Sequence, residues 1–244
     1  MKRLTLFLIS LTLLACSDNN SIKKLNTHLE GDLEIRSLKD LSTPKTKALK
    51  TINGNLIIKN TYEITDLRAL ENLEEVNGII INNNHNLKSL EGLENIQKVD
   101  FISIKDNIEL TSISGLDNVS LVLTNVNIIN NDSLTSFTGL NGLTIIKGQL
   151  FINDNKNLID LSGLENLTET SKLLVLNNIN LKNLNGINSL ENASVIDVVS
   201  NNSLTNFCAL TSFAQENQNS TSFRTKFNGY NPTFENLKNG NCSE

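Results

Sequence analysis

One pattern of apolar and polar positions repeats along most of the chain. Two apolar residues, two positions apart, return every 23 or 24 residues, which is the spacing of side chains on one face of a short strand. The first member of each pair lies at Leu56, Ile79, Ile102, Val126, Leu150, Leu173 and Ile196, with a weaker copy at Leu33. The second member is β-branched in every clear copy. The pattern therefore predicts repeated strands that each turn one face to a core.

Each copy continues with a polar turn and further apolar positions. The turn column holds Thr61, Asn84, Asn107, Asn131, Asn155, Asn178 and Asn201. Because asparagine tolerates a left-handed backbone and its amide bonds nearby backbone groups, we predict that this column turns the chain. Glycine recurs at Gly92, Gly115, Gly139, Gly163 and Gly186, and predicts a tight bend with no room for a side chain. Apolar pairs such as Leu73 with Val76 indicate another short extended side.

A single copy cannot fold alone. Its inward apolar residues contribute roughly 12 kcal/mol, while ordering its residues costs roughly 30 kcal/mol or more. Neighbouring copies must therefore share a core and a hydrogen-bonded ladder. We predict a mainly β fold, a right-handed parallel β-solenoid of about eight coils of 23 or 24 residues.

The repeated elements resemble a known family. The run L-x-[IV]-x-x-N is similar to the leucine-rich repeat, but here the next apolar residue comes one place later. With L-x-S-L-x-G-L from Leu87 to Leu93, the variant resembles the receptor L domain, the ligand-binding solenoid of insulin and epidermal growth factor receptors, also found in many bacterial surface lipoproteins. The resemblance covers residues 31–212. The first copy departs most from the repeat pattern, because Pro44 and the lysine-rich residues 39–50 replace the side of the coil that the other copies have at this place. This difference suggests a capping coil.

The first residues of the chain predict export to the cell envelope. Lys2 and Arg3 precede an apolar run that is too short to span a bilayer, and the sequence Leu13-Leu14-Ala15-Cys16 resembles the lipobox of bacterial lipoproteins. That resemblance implies a signal peptide at 1–15, a lipidated tether and linker at 16–30, and acyl chains such as palmitate on Cys16.

Cleavage of the signal peptide would lower the net charge from −5 to −7. The acyl chains would therefore hold the protein to the membrane, because an acidic body gains nothing from anionic headgroups. We expect an outer-membrane location, on either the surface or the periplasmic face.

The end of the chain has a different composition. Phenylalanine and tyrosine gather after Asn206, and we predict a C-terminal cap at 213–244 that covers the open end of the solenoid. Cys208 and Cys242 are the two cysteines left once Cys16 is acylated, and an exported chain meets an oxidising compartment. We therefore predict a disulfide between them.

Candidate chemistry is sparse. A net charge of −5 and 5% aromatic residues argue against nucleic acid as a partner. The sequence contains no nucleophile elbow, zinc-protease pair or phosphate-binding loop, and we predict no catalytic residue, metal site or cofactor. His28 and His85 are interpreted as solvated histidines. The polar run Asn153-Asp154-Asn155 coincides with the turn column and lacks the dense acids of calcium-binding repeats.

The outward strand positions carry the best candidate binding face. They form a stripe of apolar residues in the later coils: Ile129, Phe151, Leu174, Leu176 and Val199. One interpretation is that the tail or a loop covers this stripe. The other is contact with an unknown protein or glycan, which fits a lipid-anchored, non-catalytic protein of recognition or adhesion. Two further hypotheses are a polysaccharide-acting β-helix enzyme, which would need carboxylates converging in a cleft, and a purely structural envelope component.

Overall fold

Parallel strands dominate the structure, a computed structural model that describes residues 25–217 and 221–244. The predicted signal peptide and the predicted lipid attachment at Cys16 lie outside these residues. The strands are β1 (His28–Glu30), β2 (Leu33–Ile35), β3 (Thr51–Lys59), β4 (Glu75–Asn82), β5 (Lys98–Val99), β6 (Phe101–Lys105), β7 (Leu121–Val122), β8 (Val126–Ile129), β9 (Ile145–Asn153), β10 (Glu169–Leu176), β11 (Val195–Val199) and β12 (Ser222–Lys226). The helices are α1 (Leu38–Leu41), α2 (Pro44–Lys47), α3 (Thr211–Glu216) and α4 (Phe234–Lys238), with short 3-10 turns at Arg68–Leu70 and Cys208–Leu210.

The strands form one parallel sheet in which each repeat pairs with the next. The main ladder runs β3-β4-β6-β8-β9-β10-β11-β12. Its register joins equivalent positions of the repeat, so that Leu150 pairs with Val126 on one side and with Leu173 on the other. The inward side chains of these strands are buried from β3 to β11, because a strand inside a parallel stack finds apolar neighbours above and below it, whereas Phe223 in the end strand β12 is only partly buried.

A second, shorter ladder runs beside the main one. Lys98 pairs with Leu121, and Leu121 pairs with Ile145. In β3, β4, β9 and β10 the second ladder continues into the main strand, and the register shifts at Ile52/Asn55 and at Thr170/Lys172. The extended side indicated by pairs such as Leu73 with Val76 is thus present: both residues are buried, and Val76 lies in β4. The predicted mainly β fold with a parallel sheet is confirmed, while the number of coils and the right-handed winding stay predictions.

A ladder of buried asparagines joins the repeats beside the ends of the main strands. The backbone N–H of Asn131 donates to Oδ1 of Asn155 at 3.0 Å, and its Nδ2 donates to the carbonyls of Ile104 and Ile129 at 3.0 and 3.1 Å. Its own Oδ1 accepts the backbone N–H of Asn107 at 3.1 Å. Equivalent bonds recur along the column, and its asparagines have no exposed surface: Asn84, Asn107, Asn131, Asn155, Asn178 and Asn201.

The left-handed residue of each turn lies one position earlier than the sequence predicts. Positive φ angles between 54° and 62° occur at Asn60, Asn83, Asp106, Asn130, Asp154, Asn177, Ser200 and Phe227. The prediction that the turn column itself is left-handed is therefore wrong. The residue before it reverses the chain, and this reversal points the following amide into the core, where it bonds the neighbouring repeats.

The glycine column confirms the predicted tight bend. Gly92, Gly115, Gly139, Gly163 and Gly186 all have φ between 106° and 115°. A Cβ at Gly186 would lie 1.9 Å from the carbonyl oxygen of Leu161 in the preceding repeat. Close backbone approach between neighbouring repeats, together with the positive φ, therefore excludes a side chain here.

The two ends of the stack are closed differently. At the N-terminal end, Ser37 and Thr43 cap α1 and α2, which stand where the sequence departs from the repeat. At the C-terminal end, β12 pairs with β11, and α3 and α4 place Phe213 and Leu237 in the core. The predicted disulfide between Cys208 and Cys242 is present. The domain boundaries at 31–212 and 213–244 stay predictions.

The asparagine ladder generates a test of stability. We expect Asn131→Ala to lower the free energy of unfolding by about 3 kcal/mol, because it leaves buried backbone N–H and C=O groups of neighbouring repeats without partners. Urea unfolding measures this change. The matched control is Asn157→Ala, an exposed turn residue, which should change stability by about 0.5 kcal/mol or less. A loss below about 1 kcal/mol for Asn131→Ala would contradict the assigned role of the ladder.

Candidate functional site

The outer face of the main ladder presents two rows of side chains. They alternate with the buried positions, because successive residues of a strand point to opposite faces. The first row contains Ile57, Ile80, Ser103, Asn127, Phe151, Leu174, Asp197 and Arg224. The second row contains Lys59, Asn82, Lys105, Ile129, Asn153, Leu176, Val199 and Lys226.

The structure brings most of the predicted stripe together. Phe151 and Leu174 are direct cross-strand neighbours, as are Leu176 and Val199. Ile129 lies in the same row as Leu176 but is separated from it by Asn153. All five side chains are half-buried. We call Ile129, Phe151, Leu174, Leu176 and Val199 the apolar stripe.

The C-terminal tail extends the sheet beside the apolar stripe. The sequence left open whether the tail folds over these residues. Strand β12 instead pairs with β11 in parallel register, and Arg224 takes the next place in the first row after Asp197. The described part of the tail therefore leaves the apolar stripe partly exposed.

Sequence reasoning missed a second apolar group on the same face. Ile57 and Ile80 are neighbours in the first row, and Phe101 lies beside them at the start of β6. We call these three residues the N-terminal patch. Ser103 and Asn127 separate it from the apolar stripe in the first row. The alternation of the early strands turns Ile57 and Ile80 outward, and the same alternation in β6 places Phe101 on this face, two residues before Ser103.

Ion pairs stand at both ends of the outer face. At the N-terminal end, Glu34 contacts Lys59 at 2.7 Å and Arg36 at 2.5 Å. The hydrogen bond from Lys59, followed by that from Arg36, holds the pKa of Glu34 below its ordinary value. At the other end, Arg224 contacts Asp197 through two nitrogens at 2.6 and 3.2 Å, and this pairing raises the pKa of Arg224. Ion pairs thus flank the outer face, whose interior contains the apolar groups together with polar residues such as Ser103 and Asn127.

An exposed aromatic ring borders the C-terminal end of this face. Phe227 has φ 58° and is 73% exposed, while the other left-handed turn positions hold Asn, Asp or Ser. A left-handed backbone is strained for a bulky residue. Side chains at this turn position reach the outer face, since Nδ2 of Asn177 donates to Oδ1 of Asn153 at 3.1 Å. Phe227 follows Lys226, the row neighbour of Val199.

Both histidines have close contacts with neighbouring side chains. One ring nitrogen of His28 contacts the Thr51 hydroxyl, and Nε2 lies 2.7 Å from Oε1 of Glu30. The hydrogen bond with His28 is the largest cause of the lowered pKa of Glu30. The Glu30 side chain is nevertheless 73% exposed, whereas the acid of a catalytic triad is buried beside its histidine. His85 stacks on Tyr62 with ring centroids 4.2 Å apart.

The described residues contain no cluster of three or more His, Cys, Asp or Glu side chains that could hold a metal ion. The polar run considered for calcium has other contacts: Asn153 donates to Asp154 at 2.5 Å, and Asn155 belongs to the buried ladder. None of the helices in residues 25–217 and 221–244 is both long and apolar enough to cross a membrane.

Part of the chain matches a known family model. Residues 27–122 match the model of the receptor L domain. The match begins just before β1 and ends with β7, and it supports an L domain-like fold and a role in ligand binding or recognition. No curated protein matches the chain. The N-terminal patch falls inside the part matched to the receptor L domain, and the apolar stripe lies beyond it.

Phe227 generates a test of the strain at the left-handed turn position. We expect Phe227→Asn to raise the free energy of unfolding by about 1 kcal/mol, because asparagine adopts the left-handed conformation at lower cost. The melting temperature should rise by about 2–4 °C. Ser200→Phe, which places the ring in the same column one strand earlier, should lower stability by a similar amount. A lower melting temperature for Phe227→Asn would show that contacts of the ring outweigh the strain.

Proposed function

We propose that this protein is a lipid-anchored, non-catalytic recognition or adhesion protein of the bacterial envelope, which binds a protein or glycan through the apolar stripe. The observation that carries the proposal is the group of half-buried apolar side chains on the outer face of the later strands, with Phe151 beside Leu174 and Leu176 beside Val199. Partly exposed apolar residues that form a row, rather than a scatter, are typical of contact surfaces. The receptor L domain match adds support, because it suggests ligand binding.

The arrangement around the apolar stripe suits a binding surface. Aromatic residues, phenylalanine among them, are enriched at interface centres, and the residues that contribute most to affinity lie near the centre, inside a rim that excludes water. Phe151 and Leu174 lie in such a centre, and the Asp197–Arg224 pair lies in the adjoining rim. Because the carboxylate and the guanidinium already satisfy each other, a ligand can cover this end without leaving a single charge unpaired.

The proposed anchor is compatible with the position of the sheet. Eleven residues separate Cys16 from His28, the first residue of β1, and a fully extended chain of that length spans at most about 40 Å. Strand β9, which carries Phe151, lies four strands beyond β3 in the main ladder, or about 19 Å away. The anchor would therefore attach at the N-terminal end of the stack, and the apolar stripe belongs to its other half.

Charge substitution in the apolar stripe tests the recognition role. We expect Phe151→Glu with Leu174→Glu to weaken binding to envelope or host components at least tenfold, because two carboxylates would have to be buried in the contact. Capture from those components by the full-length protein, followed by titration of the captured component, measures the effect.

The matched control changes the same row outside the apolar stripe. Ser103→Glu should leave binding unchanged, and circular dichroism with thermal unfolding should show that each variant folds. Equal binding by the wild type and the double variant would refute a role of the apolar stripe in recognition, whether or not another surface binds.

Replacement of the proposed lipid-carrying residue tests the anchor. We expect Cys16→Ser to abolish incorporation of labelled palmitate and to move the protein from the membrane fraction to the soluble fraction, because the thiol that carries the diacylglycerol is gone. Substitution of Ser17 by Ala is the matched control and should change neither result. Retention of Cys16→Ser in the membrane without label would contradict acylation as the anchor.

A further inference from the structure

A groove of about 970 Å³ crosses the outer side of the second ladder in the first four repeats. Its walls come from the first residues of β3 and β4 and from residues 95–100, all in repeats that precede those of the apolar stripe. Its volume is within the range of small-ligand sites, about 300–1,000 Å³. The principal polar lining residues are Thr51, Asn53, Glu75, Asn77, Gln97 and Lys98, with Asp100 at one side.

Several of these side chains have unused hydrogen-bonding capacity. The side chains of Asn77, Gln97 and Lys98 make no hydrogen bond to another residue of the described ranges, and the same holds for Glu75 and Asp100. Asparagines elsewhere on the surface instead bond a neighbouring repeat: Nδ2 of Asn118 donates to the carbonyl of Glu94, and Nδ2 of Asn166 donates to that of Asn141, at 2.7 and 2.8 Å. The groove therefore offers amide donors and acceptors, carboxylates and an ammonium group to a ligand.

One end of the groove is held in a fixed position by its own contacts. Nδ2 of Asn53 donates to Glu30 at 2.8 Å, and the other oxygen of Glu30 lies 2.7 Å from Nε2 of His28. His28 also contacts Thr51 in the next repeat. This network joins two repeats and leaves the unpaired amides of Asn77 and Gln97 farther along the groove.

An aromatic ring follows the lining residues in the sequence. A Cβ at Gly78 would lie only 2.3 and 2.5 Å from Cε1 and Cζ of Phe101, so the ring rests directly on the backbone of Gly78. Gly78 follows Asn77, which lines the groove, and Phe101 follows Asp100, which lines it too. The absence of a side chain at Gly78 therefore gives the ring its place beside the polar wall, next to Ile80 of the N-terminal patch.

We propose that this groove binds a neutral oligosaccharide. A sugar presents hydroxyl groups that both donate and accept, which match amides and carboxylates, together with an apolar C–H surface that suits a ring such as that of Phe101. An anionic ligand is disfavoured, because Glu75 and Asp100 outnumber Lys98 in the lining, where Glu74 is already paired with Lys50.

An extended peptide fits the groove less well than a sugar. Peptides that bind to sheets commonly do so by adding a strand to an unpaired edge. Thr51 is paired with Glu75 and Lys98 with Leu121, although no pairing joins β4 to β5 beneath the groove. A ligand there would therefore meet mainly side chains, as a bound sugar does. This site goes beyond the recognition role proposed for the apolar stripe and does not depend on it.

Titration with defined sugars tests the proposal. The full-length protein, in a detergent without a sugar headgroup, would be titrated with cellohexaose, chitohexaose and mannohexaose by calorimetry. We expect saturable binding of at least one of them, and an affinity at least tenfold lower for the double variant Asn77→Ala with Gln97→Ala, a change of about 1.4 kcal/mol. Phe101→Leu should also weaken binding, because it keeps an apolar side chain but removes the ring.

Controls identify the site and the ligand class. Asn157→Ala makes the same amide-to-methyl change on an exposed turn and should bind like the wild type, whereas loss of sugar binding in the Phe151→Glu, Leu174→Glu variant would place the sugar on the apolar stripe and overturn the assigned site. Failure of all three hexasaccharides to bind at millimolar concentration overturns the proposal. Undiminished binding by the folded double variant overturns the assigned site, and preferential binding of heptalysine or of a galacturonic acid hexamer overturns the choice of a neutral sugar.

Discussion

The structure depends on buried amide groups that no repeat can satisfy by itself. Each ladder asparagine accepts hydrogen bonds from the repeat before it and donates to a backbone carbonyl there. Removing one repeat would therefore leave buried polar groups of its neighbours without hydrogen-bond partners. The ladder also needs an end on each side. Thr61 closes it at the N-terminal end by donating to Asn84. At the other end, Asn228 accepts from Asn201 and donates to Asn231.

The core could be predicted from the sequence period, because equivalent positions of successive repeats in a stack are buried alike. The residue types that return every 23 or 24 positions indicate the inward columns, the glycine bends and the parallel pairing. The position of the left-handed residue did not follow. Adjacent polar residues such as Asn83 and Asn84 both suit a turn, and a sequence pattern cannot tell which one reverses the chain and which one enters the core.

The candidate sites were predictable only in part, for a physical reason. The apolar stripe lies on the regular main ladder, so strand alternation alone placed Phe151 beside Leu174. The groove depends on how the second ladder meets the main one, and on one ring taking the space above Gly78. Neither feature repeats. Outward positions are free of the constraint that fixes the inward columns, and differences between repeats there carry the specificity of the surface.

The parallel stacking also determines how this protein would respond to mechanical force. A pull applied through the N-terminus reaches β1 and β2 first, at one end of the stack, and the bonds that join these strands to β3 run along the stacking direction. Such a load opens one ladder at a time instead of shearing many bonds together. The C-terminal end resists differently, because the Cys208–Cys242 bridge ties the last turn of the stack to the end of the chain. Under tension the molecule would therefore lengthen by stepwise loss of its first repeats, while the later strands and their outer face stay folded.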